Sequence, residues 1–261
     1  MDSSIPTSPP RSIDLNSDMG EGFGAYRMGD DDAILEVVSS ANVACGFHAG
    51  DPDVMARTFA LAKIRQVAVG AHPGYQDLAG FGRRGIACSP AEIERLVAYQ
   101  VGAAQGLAAY SGHRLTHVKA HGALGNLTQT DAEVAAAVSR AIRAVDPSLV
   151  CLVIARGHQE RIARELGLQV RSEIFADRGY TEDGHLVSRK IPGAVLHDAQ
   201  EAAARVLRMV RANAIETVSG RLLPTAIDSI CVHSDTPSAV AMARAVRQAL
   251  ESAGIAIRSF A

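Results

Sequence analysis

The sequence predicts a single β/α barrel of about seven strands, and three observations carry that prediction. Short β-type runs alternate with longer amphipathic stretches from end to end, the pattern of parallel β/α architecture. The length, 261 residues, suits one such domain. Most of the β-type runs end in polar residues, which favours a ring of strand ends around one site over the single switch point of an open doubly wound sheet. Residues 1–12, rich in Ser and Pro, read as a flexible tail without the basic start and apolar run of a secretory signal. Residues 13–261 read as the one domain.

The expected strands are 13–18, 42–47, 66–71, 115–120, 149–155, 169–174 and 229–233. Helix-type segments fall between them at 31–39, 52–63, 90–110, 131–145, 157–166, 198–213 and 237–253. Three of these open on a capping residue followed by proline, at Asp51-Pro52, Ser89-Pro90 and Thr236-Pro237.

Composition narrows the function. Apolar residues make up 48% of the chain and charged residues 21%, and the net charge is −2 from 26 basic and 28 acidic side chains. No like-charge run suggests a nucleic-acid tract or a polybasic membrane arm, and no apolar run approaches the roughly 20 residues that span a bilayer. Cys45, Cys88, Cys151 and Cys231 lie far apart with no CxxC pair. Three of them fall in apolar strand-like runs, as reduced thiols in cytoplasm would, so a cytoplasmic location is expected.

In the first strand, alternation puts Asp14, Asn16 and Asp18 on one face and Ile13 and Leu15 on the other. A buried parallel strand is ordinarily apolar on both faces, so this acidic face is either wetted at a sheet edge or functional. The glycine-rich turn Gly20-Glu21-Gly22-Phe23-Gly24 follows. It is not GxGxxG, but it allows close backbone approach to a ligand. His48 and His72 each stand just beyond an expected strand, beside glycine and proline. One such histidine is ordinarily a solvated loop residue; two in the same structural slot point to a site.

The fourth strand carries His117, Lys119 and His121 on one side. The same four-residue spacing of His117 and His121 would suit a metal pair on a helix, but Thr116 and Val118 favour a strand. Lys119 is one of only three lysines, and a lysine within an apolar strand needs a counter-charge or a task. Glu173, Asp177, Arg178 and Tyr180 follow the sixth strand, with Arg189 closing the loop, and form either a surface ion-pair cluster or part of the same site. The seventh strand delivers His233 and Asp235. No GxxxxGK, GxSxG or HExxH string is present. The inventory is one of carboxylates, histidines and a lysine, suited to activating water or gripping an anionic substrate.

Six strings, DLNSDMGEGFG (14–24), SSANVACGFHAGDP (39–52), GAHPGYQDLAGFGRR (70–84), VKAHGALGN (118–126), EIFADRGYTEDGHL (173–186) and SICVHSD (229–235), resemble the LamB/YcsF family. Its members are assigned as the A subunit of 5-oxoprolinase. The resemblance implies a glycoside hydrolase/deacetylase type of barrel and an ATP-dependent opening of the lactam 5-oxoproline to glutamate, performed with the B and C subunits of 5-oxoprolinase. ATP is then a co-substrate, bound here or on a partner. Asp14, Asp18, Glu21, Lys119 and His121 become the catalytic candidates. Asn16, His48, His72, Asn126, Glu173, Asp177, Arg178, Tyr180, Arg189, His233 and Asp235 become the substrate-binding candidates. A divalent metal, if one is used, falls to Asp18, His48, His72 and His121. Ala120 and Gly125 depart from the family pattern, where proline and tyrosine are usual. Two other readings compete: a metal-dependent amide or carbohydrate deacetylase, and a non-catalytic module that binds a small anion within a larger assembly.

Overall fold

The computed structural model describes residues 10–234 and 238–261. Its strands are β1 (Ser12–Met19), β2 (Ser40–Ala44), β3 (Ala68–His72), β4 (Leu115–Val118), β5 (Val150–Ile154), β6 (Val170–Phe175), β7 (Ala214–Glu216), β8 (Leu222–Pro224), β9 (Ser229–Cys231) and β10 (Ala256–Ile257). Strands β1 to β6 pair in sequence order, all parallel, and β9 pairs with both β6 and β1 to close a seven-stranded barrel. The short β10 pairs beside the start of β1, and β7 and β8 form a separate antiparallel hairpin.

The helices are α1 (Asp31–Leu35), α2 (Pro52–Ile64), α3 (Pro90–Tyr110), α4 (Gly122–Thr130), α5 (Ala132–Val145), α6 (His158–Glu165), α7 (Ala199–Ala212) and α8 (Ala239–Ser252). Proline sits at the first turn of α2 and α3, where its missing N–H costs nothing, and Ser89 with Glu92 completes a capping box on α3. Valine, leucine and alanine on the outward faces of the strands pack against this helical shell in one continuous core. No helix of the described residues is long and apolar enough to cross a membrane.

Several boundaries differ from the sequence reading. The second and third strands end at Ala44 and His72. His72 is therefore the last residue of its strand, while His48 lies four residues beyond β2, after Gly46 turns the chain at φ +91°. Ser12, expected in the tail, pairs with Ala256. Residues 1–9, Asp235 and the Thr236-Pro237 cap lie outside the described residues. Helix α4 is absent from the sequence expectation, since two glycines and two threonines among its nine residues lower its helix propensity.

The barrel interior is polar, and it is layered along the axis. Lowest lies Asp14, whose carboxylate accepts hydrogen bonds from Ser39 Oγ (2.7 Å), Ser40 Oγ (2.6 Å) and Ser229 Oγ. Above it Asn16 and Asn42 share a hydrogen bond of 2.8 Å, and His117 Nε2 donates to Asn42 Oδ1 at 2.9 Å. Gly70 makes room for His117: a Cβ there would overlap the imidazole ring. Asp18, Lys119 and Glu173 form the uppermost layer. Four residues at about 3.3 Å each separate Asp14 from Asp18 along β1, so Asp14 belongs to the barrel floor and is not at the mouth. This corrects its placement among the catalytic candidates.

Burial raises the Asp14 carboxyl above the usual aspartate range despite the three serine hydroxyls. The native chain thus holds this proton more tightly than the unfolded chain, and the stability it lends at low pH is lost as pH rises through the raised value. Asp14→Asn should remove that dependence. Urea midpoints from about pH 4 to about pH 7 should fall less steeply with pH in the variant than in the native protein; parallel profiles would contradict the assignment.

Candidate active site

A cavity of about 590 Å³ opens at the C-terminal mouth of the barrel. Lys119, at the end of β4, lies at its base and is 4% exposed. Its Nζ donates to Asp18 Oδ1 at 2.9 Å and to Asn16 Oδ1 at 3.3 Å, and stands 3.2 Å from Glu173 Oε2 and 3.1 Å from Cys231 Sγ. Burial opposes the ammonium charge, but Asp18, Cys231 and Glu173 outweigh it and hold Lys119 well above the usual lysine range. Burial likewise opposes ionisation of Asp18, and the charges of His72 and Lys119 overcome it, so Asp18 stays well below the usual range. Glu173 goes the other way. Burial, with Asp18 nearby, raises it even against the pull of Lys119. Its Oε1 is buried without a hydrogen-bond partner among the described residues.

Asn16 braces this arrangement from below. Its Nδ2 donates to Glu173 Oε2 (3.2 Å) and Ser229 Oγ (2.7 Å), and its Oδ1 accepts from Asn42 and Lys119. All its hydrogen-bonding capacity is used within the barrel. Asn16 does not line the cavity, contrary to its expected place among the substrate contacts. Tyr180 is corrected in the same way: it is fully buried, and its hydroxyl accepts the Phe175 N–H at 2.8 Å, fixing the exit of β6.

One wall is built of imidazoles. His72 Nδ1 lies 2.7 Å from the Lys119 carbonyl and His121 Nε2 2.8 Å from the Phe81 carbonyl. A carbonyl only accepts, so these two nitrogens carry the protons. The remaining lone pairs, on His72 Nε2 and His121 Nδ1, then face one another at 3.0 Å. Asp18 Oδ2 stands 3.3 Å from His72 Nε2. Two acceptors at this distance require a positive charge between them, either an added proton or a metal ion. His48 stacks on His121 with ring centroids 3.6 Å apart, and both of its ring nitrogens are buried without a hydrogen-bond partner among the described residues. Burial first, then the neighbouring histidines, holds His48 and His121 well below the usual histidine range. Glu21 Oε1 lies 3.9 Å from His48 Nε2 and 4.0 Å from His121 Nδ1. Gly82 permits this packing: its φ is +61°, and a Cβ there would lie 2.7 Å from that of His48.

The opposite wall is cationic. Arg178, Arg189 and Lys190 line it, while a further lining cation, Arg83, lies over the Phe81 ring beside the imidazoles. His233 Nδ1 donates to Asp177 (2.8 Å to Oδ1), and Arg189 Nη2 donates to His233 Nε2 at 2.8 Å. His233 also stacks on Phe175 at 5.4 Å. Asn126, on α4, lines the same space. Ala120 and Gly125 do too, and a side chain at Gly125 would meet the Ala120 carbonyl at 2.5 Å, so this wall stays open.

The structure therefore gathers Asp18, Glu21, His72, Lys119, His121, Asn126, Glu173, Arg178, Arg189 and His233 around one cavity, with His48 and Asp177 directly behind it. Asp14, Asn16 and Tyr180 lie away from it, and Asp235 is outside the described residues. Sequence reasoning missed Cys231, Arg83 and Phe175. Alternation along β9 carried a signal for Cys231, which shares the inward parity of His233.

Residues 13–261 match the model of the LamB/YcsF family. The chain is 63% identical to the A subunit of the 5-oxoprolinase of Gluconobacter oxydans over 95% of its length and 98% of that protein's. It is 60% identical to the corresponding 5-oxoprolinase chain of Azorhizobium caulinodans, covering 96% and 99%. The crystal structure of the lactam utilization protein from Thermus thermophilus superimposes with a TM-score of 0.90 at 45% identity, over 95% of this chain and all of that one. A family 4 carbohydrate esterase from Streptomyces lividans shares the fold alone, with a TM-score of 0.50 at 10% identity over 96% and 93% of the two chains. The fold expected from the sequence is the one observed, and the chain belongs to the LamB/YcsF family.

Proposed function

We propose that this chain is the lactam-opening subunit of an ATP-dependent 5-oxoprolinase, converting 5-oxo-L-proline to L-glutamate together with partner subunits. One observation carries the reading: at the base of a cation-rimmed cavity, an ionised carboxylate, Asp18, is held between a buried ammonium at 2.9 Å and an imidazole at 3.3 Å. The names of the relatives, which specify one subunit of a 5-oxoprolinase and a lactam utilization protein, support the substrate and the existence of partners.

A five-membered lactam is an unactivated amide, so its opening needs water made more nucleophilic and a carbonyl made more electrophilic. Asp18 orients the attacking water and takes its proton. Lys119 stabilises the charge that develops on the carbonyl oxygen, in a site too buried for water to screen it. His233, its Nδ1–H fixed on Asp177, uses its Nε2 lone pair to take up the water's proton and deliver it to the departing ring nitrogen. ATP assists by phosphorylating the carbonyl oxygen, which makes the ring carbon more electrophilic. Water adds there, the C–N bond breaks with the ring nitrogen leaving as the amine, and a second water hydrolyses the resulting acyl phosphate to glutamate and phosphate. We assign the phosphoryl transfer to a partner subunit, because no lysine in this chain follows a glycine in a phosphate-cradling turn.

The imidazole wall also suits a divalent cation. Glu21, His48, His72 and His121 offer four ligand atoms within 4.8 Å of one another, and the facing lone pairs of His72 and His121 with the unpartnered nitrogens of His48 are the donors such an ion takes. Bound there, it would lower the pKa of water and polarise a carbonyl. This favours, as a second reading, metal-assisted amide hydrolysis at the same corner.

Three outcomes are expected. Asp18→Asn should lower 5-oxoproline turnover in the reconstituted complex by at least about 100-fold while the variant stays folded by circular dichroism; normal turnover by a folded variant would remove Asp18 from the mechanism. The isolated chain should show no ATP-coupled lactam opening, and robust turnover without partners would move the nucleotide site into this barrel. Chelator-treated protein should take up about one equivalent of zinc or manganese by calorimetry, and His72→Ala should abolish the uptake. Full turnover by protein shown metal-free by elemental analysis would exclude the ion from the reaction.

A further inference from the structure

The outer half of the cavity carries two cations, Arg178 and Arg189, that have no ion-pair partner among the described residues. Arg178 is 4% exposed. Its Nη2 donates to the Val187 carbonyl at 2.6 Å, and its Nε is buried with no hydrogen-bond partner. Asp177, its sequence neighbour, directs both carboxylate oxygens to His233 Nδ1, at 2.8 and 2.9 Å. Arg189 is the second cation of this wall, and its Nη2 is bonded to a neutral acceptor, His233 Nε2. Burial, and then repulsion from Arg189, lowers Arg178 to about 10. The charge of Asp177 attracts both guanidinium groups without a close ion pair to either, so it offsets the cost of burying Arg178 only in part, and a ligand anion relieves the rest. Guanidinium groups match carboxylates in a planar, two-point geometry.

The contact between Arg189 and His233 adds a consequence. With Nδ1–H turned to Asp177, Nε2 is the only lone pair of His233, and Arg189 covers it. A ligand carboxylate offers Arg189 a charged acceptor in place of a neutral one, a hydrogen bond roughly twice as strong. We propose that Arg178 and Arg189 form a carboxylate anchor, and that filling it draws Arg189 off His233 Nε2, so the site selects small cyclic amides that carry an acid group over neutral ones. The proposal rests on the lactam-opening reading above. It adds the substrate feature that is recognised and makes Arg189 a specificity-determining residue.

The test compares 5-oxoproline, pyrrolidin-2-one, which is the same ring without the carboxylate, and inorganic phosphate by calorimetry on the full chain. The native protein should bind 5-oxoproline at least about tenfold more tightly than pyrrolidin-2-one. Arg178→Met and Arg189→Gln should each erase most of that difference by weakening 5-oxoproline alone. Arg189 is half-buried on a loop, so Arg189→Gln keeps the test valid should Arg178→Met fail to fold. In the native protein 5-oxoproline, but not pyrrolidin-2-one, should shift the ¹⁵N resonance of His233 Nε2, and Arg189→Gln should display the shifted position without ligand. Undiminished selectivity in folded variants, an unmoved His233 resonance, or phosphate competing as well as 5-oxoproline would each overturn the anchor while leaving the lactam reading intact. A native protein that binds neither lactam would overturn the reading and the anchor with it.

Discussion

The buried ammonium of Lys119, held between Asp18 and Glu173, is the interaction on which the rest of the site depends. Removing a lysine and two carboxyl groups from water costs several kcal/mol per ion, and attraction offsets this only with good geometry and satisfied hydrogen bonds. The barrel supplies both. Asn16 joins Glu173, Lys119, Asn42 and Ser229, and the parallel strands fix their depth by register, Asp18 opposite Asn42 and Glu173 opposite Ser229. One ammonium cannot neutralise two carboxylates. The imbalance falls on Glu173, which burial raises, while Asp18, nearer His72, stays ionised. Two carboxyl groups on one lysine thus have their pKa values pushed in opposite directions, the condition for separate tasks in one site.

Around this clamp the cavity divides into two chemically distinct walls. On the imidazole wall burial keeps His48 and His121 well below the usual histidine range, so these two rings offer lone pairs, while His72 stands beside the Asp18 carboxylate. This wall activates water or holds a cation. The facing wall, with Arg178, Arg189 and the Asp177–His233 pair, recognises an anion and manages a proton. A ligand bound between them meets the nucleophilic side on one face and the anchoring side on the other. Strand ends on opposite sides of a closed barrel provide that separation, whereas one crevice of an open sheet would place the groups side by side.

Much of this was legible in the sequence because it follows from period and capping. Alternation along β1 and β4 put Asp14, Asn16 and Asp18, and His117 and Lys119, on inward faces, and proline after a capping residue marked the starts of α2 and α3. Parity does not give depth. Asp14, Asn16 and Asp18 look equivalent in sequence, yet they occupy three successive layers and only the last reaches the cavity. Pairing across the barrel was equally hidden: Lys119 meets Glu173 and Cys231, 54 and 112 positions away, only through strand order and register. Tyr180 resembled its polar neighbours, but its hydroxyl serves the backbone of β6. The glycines of α4 and the hairpin of β7 and β8 are decided by tertiary contacts more than by local propensity.

Replacing the ammonium alone tests this account most directly. In Lys119→Met, measured in the complex reconstituted with partner subunits, 5-oxoproline opening should fall by at least about 100-fold, while the partner continues to bind ATP and circular dichroism reports a folded barrel. A folded Lys119→Met chain that supports turnover within about threefold of the native rate, a difference below 1 kcal/mol, would contradict the central role given to this buried charge.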